Sequence, residues 1–221
     1  MWAFLSTIFG GFVSIGAVVL VEYLRRPSLE LSREAPVDLR FDPPGSRPAT
    51  EMRALRVILS NRTLPWFARW MVRAPALQCR AAITFHHSDD EQDIFGRVME
   101  GRWSNTPEPA SIIIGPPTSQ GQQLALIPQT RNWVDVYPGE SELLEIAIRA
   151  DNDAECYGWN NEAYLSTPQW RNPNWKLDRV RYLVRVIVTS SGQKCPGWFR
   201  LENSVGGDSF RLEPYTPRSQ R

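Results

Sequence analysis

The residue types best suited to metal chemistry lie in two stretches of the chain. His86–Asp93 combines two histidines with four acidic residues, and Asp151–Glu162 places acids at the first, third, fifth and twelfth positions of a calcium-loop pattern. Adjacent histidines on a strand point to opposite faces, so His86 and His87 do not readily share one ion. In the second stretch Cys156 stands where the loop requires glycine, and no helical pattern flanks it. The sequence therefore favours two charged turns, and we predict no metal site.

Motifs for catalysis and nucleotide binding do not occur in the sequence. It contains no G-x-S-x-G, no Walker A pattern and no dinucleotide-binding glycine pattern. The three cysteines, Cys79, Cys156 and Cys195, are odd in number and widely spaced, which is not the pattern of a disulfide framework. We therefore expect a non-enzymatic protein with no catalytic residue and no cofactor.

Tyr157–Trp175 is a long connection that mixes aromatic rings with Asn, Glu and Arg. Connections of this length in a compact domain are usually functional or disordered, and this one is too aromatic for disorder. Tyr, Trp and Arg are the residues that anchor protein interfaces, so the stretch predicts a partner-binding surface. The predicted contact residues are Tyr157, Trp159, Asn160, Asn161, Tyr164, Trp170, Arg171 and Trp175.

The same rings could instead cover an open end of the domain as a small additional core, and the sequence leaves both interpretations open. Trp170 and Trp175 lack alternating apolar neighbours, which favours exposure of these two side chains. Two further aromatic loops, at 66–70 and at 102–103, could belong to either surface.

Residues 2–21 form an uncharged run without proline that is long enough to cross a bilayer as a helix. A cleavable signal peptide would have a basic segment before this run and a small-x-small cleavage site after it, and the sequence has neither. We therefore predict an uncleaved membrane anchor over residues 1–26. Within it Ser6, Gly10 and Ser14 recur every fourth residue, which predicts a helix-packing strip.

The arginines around this run predict its orientation. No Lys or Arg precedes it, whereas Arg25 and Arg26 follow it directly, so the positive-inside rule places the following domain in the cytoplasm. Over the whole chain 25 Lys+Arg balance 24 Asp+Glu, which leaves the domain without an electrostatic footprint for nucleic acid. The expected partners are therefore the membrane and a protein of unknown identity.

The rest of the chain shows short strands separated by turns. Leu77–Phe85, Leu144–Arg149 and Arg181–Thr189 alternate apolar and polar residues with the period of two that a half-buried strand requires. Capping signals predict a short helix within Thr63–Val72. We predict a mainly β fold, with one transmembrane helix followed by a single antiparallel β-sandwich over residues 27–213 and a disordered tail over residues 214–221.

Leu177–Val186 reads Leu-Asp-Arg-Val-Arg-Tyr-Leu-Val-Arg-Val. A leucine, a turn and then a tyrosine that opens an alternating strand resemble a strand entry of immunoglobulin-like and fibronectin-III-like domains. The resemblance covers about one strand. It implies an immunoglobulin-like sandwich in which the Tyr182 hydroxyl bonds back to the backbone.

Two functions fit these features. The first is a single-pass membrane protein whose β-sandwich binds a protein partner or serves as an accessory subunit of a membrane complex. The alternative is an outward-facing envelope module that binds a ligand such as carbohydrate through exposed aromatic rings. The side of the membrane on which the domain lies distinguishes the two.

Overall fold

The structure, a computed structural model, describes residues 2–41, 50–107, 111–118, 121–126, 131–150, 153–166, 170–204 and 209–217. For residues 2–13, 41, 111–118, 121–126 and 165 it describes the backbone alone. The chain begins with helix α1, which spans Trp2–Arg25 and ends two residues before Pro27. Proline has no backbone N–H to extend the helical ladder, so the helix stops there.

The side chains of α1 are described from Ser14 onward. Among the residues described in this way, no helix is long and apolar enough to cross a bilayer. Of the predicted packing strip, Ser14 is exposed on α1, and the side chains of Ser6 and Gly10 lie outside the described set.

The described chain beyond α1 consists mainly of β-strands. Short stretches of 3-10 helix lie between strands at Trp66–Ala68, Asn161–Leu165 and Pro173–Trp175. In chain order the strands are β1 (Leu29–Arg33), β2 (Val37–Phe41), β3 (Thr50–Asn61), β4 (Ala76–His87), β5 (Met99–Glu100), β6 (Arg102–Trp103), β7 (Ser111–Thr118), β8 (Gly121–Leu126), β9 (Val134–Val136), β10 (Ser141–Ala150), β11 (Cys156–Gly158), β12 (Lys176–Leu177), β13 (Arg181–Ser190), β14 (Gln193–Asn203) and β15 (Phe210–Pro214).

Most of these strands form two antiparallel sheets. The first has the order β1-β3-β10-β11-β12, with β2 also paired to β3 and β6 to β10. The second has the order β15-β14-β13-β4-β5, with β9 also paired to β4, and β7 pairs with β8 in a separate ribbon. Val57 and Ile146 from the first sheet share one buried cluster with Phe85 and Val186 from the second. The mainly β prediction is confirmed, and the arrangement is compatible with a β-sandwich.

A second apolar cluster covers the outer face of the first sheet. Along β3, Leu55 and Val57 join the main core, whereas Met52 and Ala54 belong to the second cluster. Successive side chains of a strand point to opposite faces, so β3 is buried on both sides over this part of its length.

Strand β10 departs from the predicted alternation. Leu144 and Ile146 lie in the main core, but Ile148 lies in the second cluster. The pairing of β10 with β3 shifts register between Glu145 and Ala147. The extra residue of such a bulge moves every later side chain to the other face, so the prediction that Ile148 shares a face with Leu144 is wrong.

The β13–β14 hairpin closes at Ser191 and Gly192, whose φ values of 45° and 83° are the backbone that a tight two-residue turn requires. The predicted short helix is a single 3-10 turn at Trp66–Ala68 without a side-chain cap. In the predicted tail, the backbone N–H of Tyr215 donates to the carbonyl of Trp198, and residues 218–221 lie outside the described set.

Tyr182 makes the bond that the resemblance implies. Its hydroxyl accepts a hydrogen bond from the backbone N–H of Arg179 and donates one to the Asp178 carboxylate at 3.1 Å. The ring is buried in the main core, and burial raises the pKa of this tyrosine. The hydroxyl therefore ties the start of β13 to the turn that precedes it.

Candidate functional site

The predicted partner-binding stretch lies against the outer face of the first sheet. It leaves β11, runs across the second apolar cluster and returns through Pro173–Trp175 to β12. The backbone N–H of Trp159 donates to the Ile146 carbonyl at 3.0 Å, and that of Trp170 donates to the Ala163 carbonyl at 2.9 Å. These bonds fix the stretch to the sheet and to itself.

The eight predicted contact residues divide into two groups by burial. Tyr157, Trp159, Tyr164 and Trp170 pack in the second cluster, whereas Trp175 belongs to the main core. Four are buried and four are half-buried: Tyr157, Trp159, Asn160 and Trp175 in the first group, and Asn161, Tyr164, Trp170 and Arg171 in the second. The stretch therefore supplies much of the second cluster, which is the covering role that the sequence left open.

Trp175 is a member of the main core and is only 3 % exposed. Its indole N–H donates to the Glu162 carboxylate at 3.0 Å, and its ring lies edge-on to Phe95 with centroids 5.1 Å apart. The Arg97 guanidinium covers the ring at 4.3 Å from its centroid. The expected exposure of Trp175 is therefore wrong, because neighbours from distant segments enclose a residue whose adjacent sequence is polar.

A guanidinium network joins the stretch to the neighbouring loops. The Arg102 side chain donates to Asn161 Oδ1 at 2.8 Å and to the Thr106 carbonyl at 2.7 Å, and it lies 4.8 Å from the centroid of the Tyr164 ring. Asn161 donates in turn to Asn132 Oδ1 at 3.2 Å. The sequence places Arg102 only in a loop that could belong to either surface, because Asn161 and Tyr164 lie far from it along the chain.

A buried carboxylate lies beside this network. Glu145 accepts hydrogen bonds from Arg56 at 3.0 Å and from the Ser104 hydroxyl at 2.6 Å. Burial raises the pKa of Glu145, while its Arg56 and Ser104 partners act in the opposite direction. The Arg56 guanidinium also lies 6.0 Å from the centroid of the Trp159 ring. The Glu145 carboxylate and the Arg56 guanidinium are therefore paired with each other. We interpret this cluster as one that stabilises the outer face of the first sheet.

The acids of the calcium-like pattern have other partners where they are described. Asp153 accepts two hydrogen bonds from Arg171, at 2.7 and 3.2 Å. Glu155 forms an ion pair with Lys176 and accepts a bond from the Tyr157 hydroxyl. Asp151 and Asn152 lie outside the described residues.

Burial, reinforced by the neighbouring Glu155 carboxylate, raises the pKa of Tyr157 to about 12, so this hydroxyl stays protonated at neutral pH.

The remaining candidate groups show no arrangement for metal or thiolate chemistry. The part of the chain that the structure describes holds no group of three or more His, Cys, Asp and Glu placed to bind one ion. The His86 ring is bonded to Thr84 and to the Glu91 carbonyl. All three cysteines are unpaired, and burial raises the pKa of each thiol, which disfavours the reactive thiolate.

A different aromatic surface is exposed, in the loop between β3 and β4. Trp66, Phe67, Trp70 and Val72 are 80 %, 59 %, 78 % and 75 % exposed. We call this segment the Trp66–Val72 loop. In the sequence its tryptophans could belong to either surface, and their closeness to one another outside any predicted strand was the available signal.

This loop lies where α1 joins the domain. Asn61, at the end of β3, is fully buried and its amide reaches three separate segments. It accepts from the Ser28 N–H at 3.0 Å and donates to the carbonyls of Ala74 at 3.2 Å and Val136 at 3.1 Å. The side chain therefore holds together the residues after α1, the end of the loop and strand β9.

The domain also bonds directly to the last residues of the helical segment. The Ala74 N–H donates to the Arg25 carbonyl at 2.7 Å, and the Arg73 guanidinium donates to the Arg26 carbonyl at 2.6 Å. Carbonyls at a helix C-terminus have no partner within the helix, so these bonds complete its end. We call this set of contacts, together with Asn61, the helix–domain joint.

Comparisons with protein-family models, with curated proteins and with solved structures find no significant match to this chain.

Proposed function

We propose that the chain is a non-enzymatic, single-pass membrane protein. In this proposal residues 1–26 are the anchor, and the β-sandwich of residues 27–213 binds a protein partner or serves as an accessory subunit of a membrane complex. The observation that carries the proposal is the helix–domain joint, since it makes the domain a direct continuation of α1. An accessory subunit needs such a joint if it is to present one face to its complex.

The sequence and length of α1 support the anchor. The helix spans 24 residues, and its sequence carries no charge between Trp2 and Val21. A helix of about 20 apolar residues matches the thickness of the hydrocarbon core of a bilayer. The two arginines at its end, Arg25 and Arg26, are exposed and would lie at the headgroups on the cytoplasmic side. Three unpaired cysteines in the domain agree with a reducing compartment.

The fold within the proposal is an immunoglobulin-like sandwich. Two antiparallel sheets around one core and the bond from Tyr182 to the Arg179 backbone support it. Domains of this architecture serve many functions, so the likeness supports a fold and names no partner.

For the partner surface we propose the half-buried part of the stretch over the first sheet. Tyr164 and Trp170 pack edge-to-face there with ring centroids 6.0 Å apart, and the Arg102 guanidinium lies 4.8 Å from the centroid of the Tyr164 ring. Partly exposed aromatic pairs next to charged groups are typical of interface anchors. The carbohydrate alternative needs exposed rings in this stretch, where the rings of Tyr157, Trp159 and Trp175 are buried. The exposed rings of the Trp66–Val72 loop lie in a different part of the domain.

Photo-crosslinking from the full chain in its native membrane tests this proposal. p-Benzoylphenylalanine replacing Tyr164 is expected to form an adduct with one protein partner, because the ring lies at the proposed surface. The same amino acid replacing Asp89, an exposed residue in the turn after β4, is the matched control and is expected to form none. An adduct from Asp89 alone would contradict the assigned surface, and the absence of a protein adduct from both positions would contradict the partner-binding function.

A further inference from the structure

The Trp66–Val72 loop has an inner and an outer side. Leu64 and Ala68 are buried, while the large side chains of Trp66, Phe67, Trp70 and Val72 point to solvent. Single exposed apolar residues are common, but three aromatic residues within five positions are a contiguous patch, which usually marks a contact surface.

The loop is ordered by its own hydrogen bonds. The Ala68 N–H donates to the Pro65 carbonyl at 2.9 Å, and the Met71 N–H donates to the Ala68 carbonyl at 3.0 Å. Trp66 and Phe67 lie edge-to-face with centroids 6.0 Å apart. These bonds define the backbone from which the rings point outward.

The exposed patch lies close to the end of α1. The helix–domain joint is formed by residues on both sides of the patch in the chain. Asn61, at the end of β3, comes before it, and Arg73 and Ala74 come directly after it. The exposed rings thus lie beside the point at which α1 enters the domain. If α1 crosses a bilayer, this is the level of the headgroups.

The composition of the patch fits the same environment. Tryptophan is enriched at the membrane–water interface, because its ring is apolar and its N–H can still reach water or headgroups. Arg25, Arg26 and Arg69 are exposed around the patch, and Arg73 lies at its edge. Arginine at this depth pairs with the phosphates of lipid headgroups.

We infer that the Trp66–Val72 loop inserts its exposed rings into the headgroup layer of the bilayer that α1 crosses, with lipid phosphates beside the surrounding arginines. The inference rests on the proposed anchor, and it adds a second membrane contact on the domain itself. A helix alone leaves the domain free to rotate about the helix axis relative to lipid, whereas a helix and an inserted loop define how the sandwich stands on the membrane.

Fluorescent labels at three depths test the inference in the full chain. The chain is reconstituted into vesicles of phosphatidylcholine and phosphatidylglycerol, with an environment-sensitive dye on a single introduced cysteine. The background for all variants is Cys195→Ser, because Cys195 is the half-buried native thiol, whereas Cys79 and Cys156 are buried. The variants are Trp70→Cys in the loop, Ile15→Cys in α1, and Asp89→Cys as a control. Asp89 follows the far end of β4, roughly 36 Å from the loop at about 3.3 Å per residue. Lipids that carry a quencher near the headgroup or in the acyl chain then report the depth of each label.

We expect the Trp70→Cys label to show a blue-shifted emission and a loss of intensity with the headgroup quencher, while the Asp89→Cys label changes with neither. The Ile15→Cys label should lose intensity with the acyl-chain quencher. If Ile15→Cys is quenched and Trp70→Cys behaves like Asp89→Cys, the loop inference is wrong and the anchor stands. If neither α1 nor the loop is quenched, the anchor fails and the inference fails with it. Emission changes at Trp70→Cys that disappear when the protein-to-lipid ratio is lowered would assign the patch to a second copy and would also overturn the inference.

Discussion

Replacing Trp175 with alanine is expected to lower the free energy of unfolding by about 3–5 kcal/mol, the usual cost of truncating a fully buried tryptophan. The side chain is enclosed by Phe95 and Arg97, and its indole N–H is bonded to Glu162. Alanine would leave a cavity in the main core and would remove the hydrogen bond to Glu162. Denaturant unfolding of the full chain in mild detergent, followed by circular dichroism, measures the change.

Trp70→Ala provides a matched control for the same substitution. Trp70 is 78 % exposed, so its truncation should change the free energy of unfolding by no more than about 0.5 kcal/mol. A loss below about 1 kcal/mol for Trp175→Ala would show that the ring is not a core member. That result would instead support the prediction from sequence that Trp175 is an exposed contact residue for a partner.

Asn61→Ala is expected to cost about 3 kcal/mol or more, because it removes one acceptor and two donors from a fully buried site. The Ser28 N–H and the carbonyls of Ala74 and Val136 would lose their partner, and each buried unsatisfied group costs about 1–3 kcal/mol. The same unfolding experiment measures the loss. Hydrogen exchange at Ser28 should also become faster, since its amide would no longer be bonded.

Asn105→Ala is the control for the loss of an asparagine amide. Asn105 is exposed and donates to the Glu142 carboxylate at 2.9 Å, so water can replace the bond and the change should stay within about 0.5 kcal/mol. Equal effects of Asn61→Ala and Asn105→Ala would contradict the role of Asn61 in the helix–domain joint.

Local pattern was sufficient for the strands that alternate clearly. The alternation of Arg181–Thr189 and the Ser191-Gly192 turn depend on side-chain period and backbone φ, which adjacent residues determine. The bulge in β10 is different, because one extra residue at Ile146 changes no local composition and yet reverses the face of Ile148. Only the partner strand β3 makes that shift visible.

The candidate surfaces also combine features that the local sequence reveals with features that depend on distant segments of the chain. The stretch at Tyr157–Trp175 was identified as unusual from its composition, but its burial depends on the second apolar cluster, which β3 and β10 supply from distant sequence. The importance of Asn61 could not be predicted, since three segments far apart in the chain meet at its amide. The Trp66–Val72 loop was visible as a group of tryptophans, and only its place at the helix–domain joint gives it a role.

Protease digestion of sealed membrane vesicles, with carbonate extraction of a separate sample, is the most direct test of the central claim that α1 anchors the domain on the cytoplasmic side. The full chain should remain in the membrane fraction after the extraction, because a membrane-spanning helix is not released at high pH. The domain should be digested in inside-out vesicles and protected in right-side-out vesicles, as the arginines after α1 predict. Release of the chain by carbonate would contradict the anchor, and digestion in right-side-out vesicles would contradict the cytoplasmic orientation.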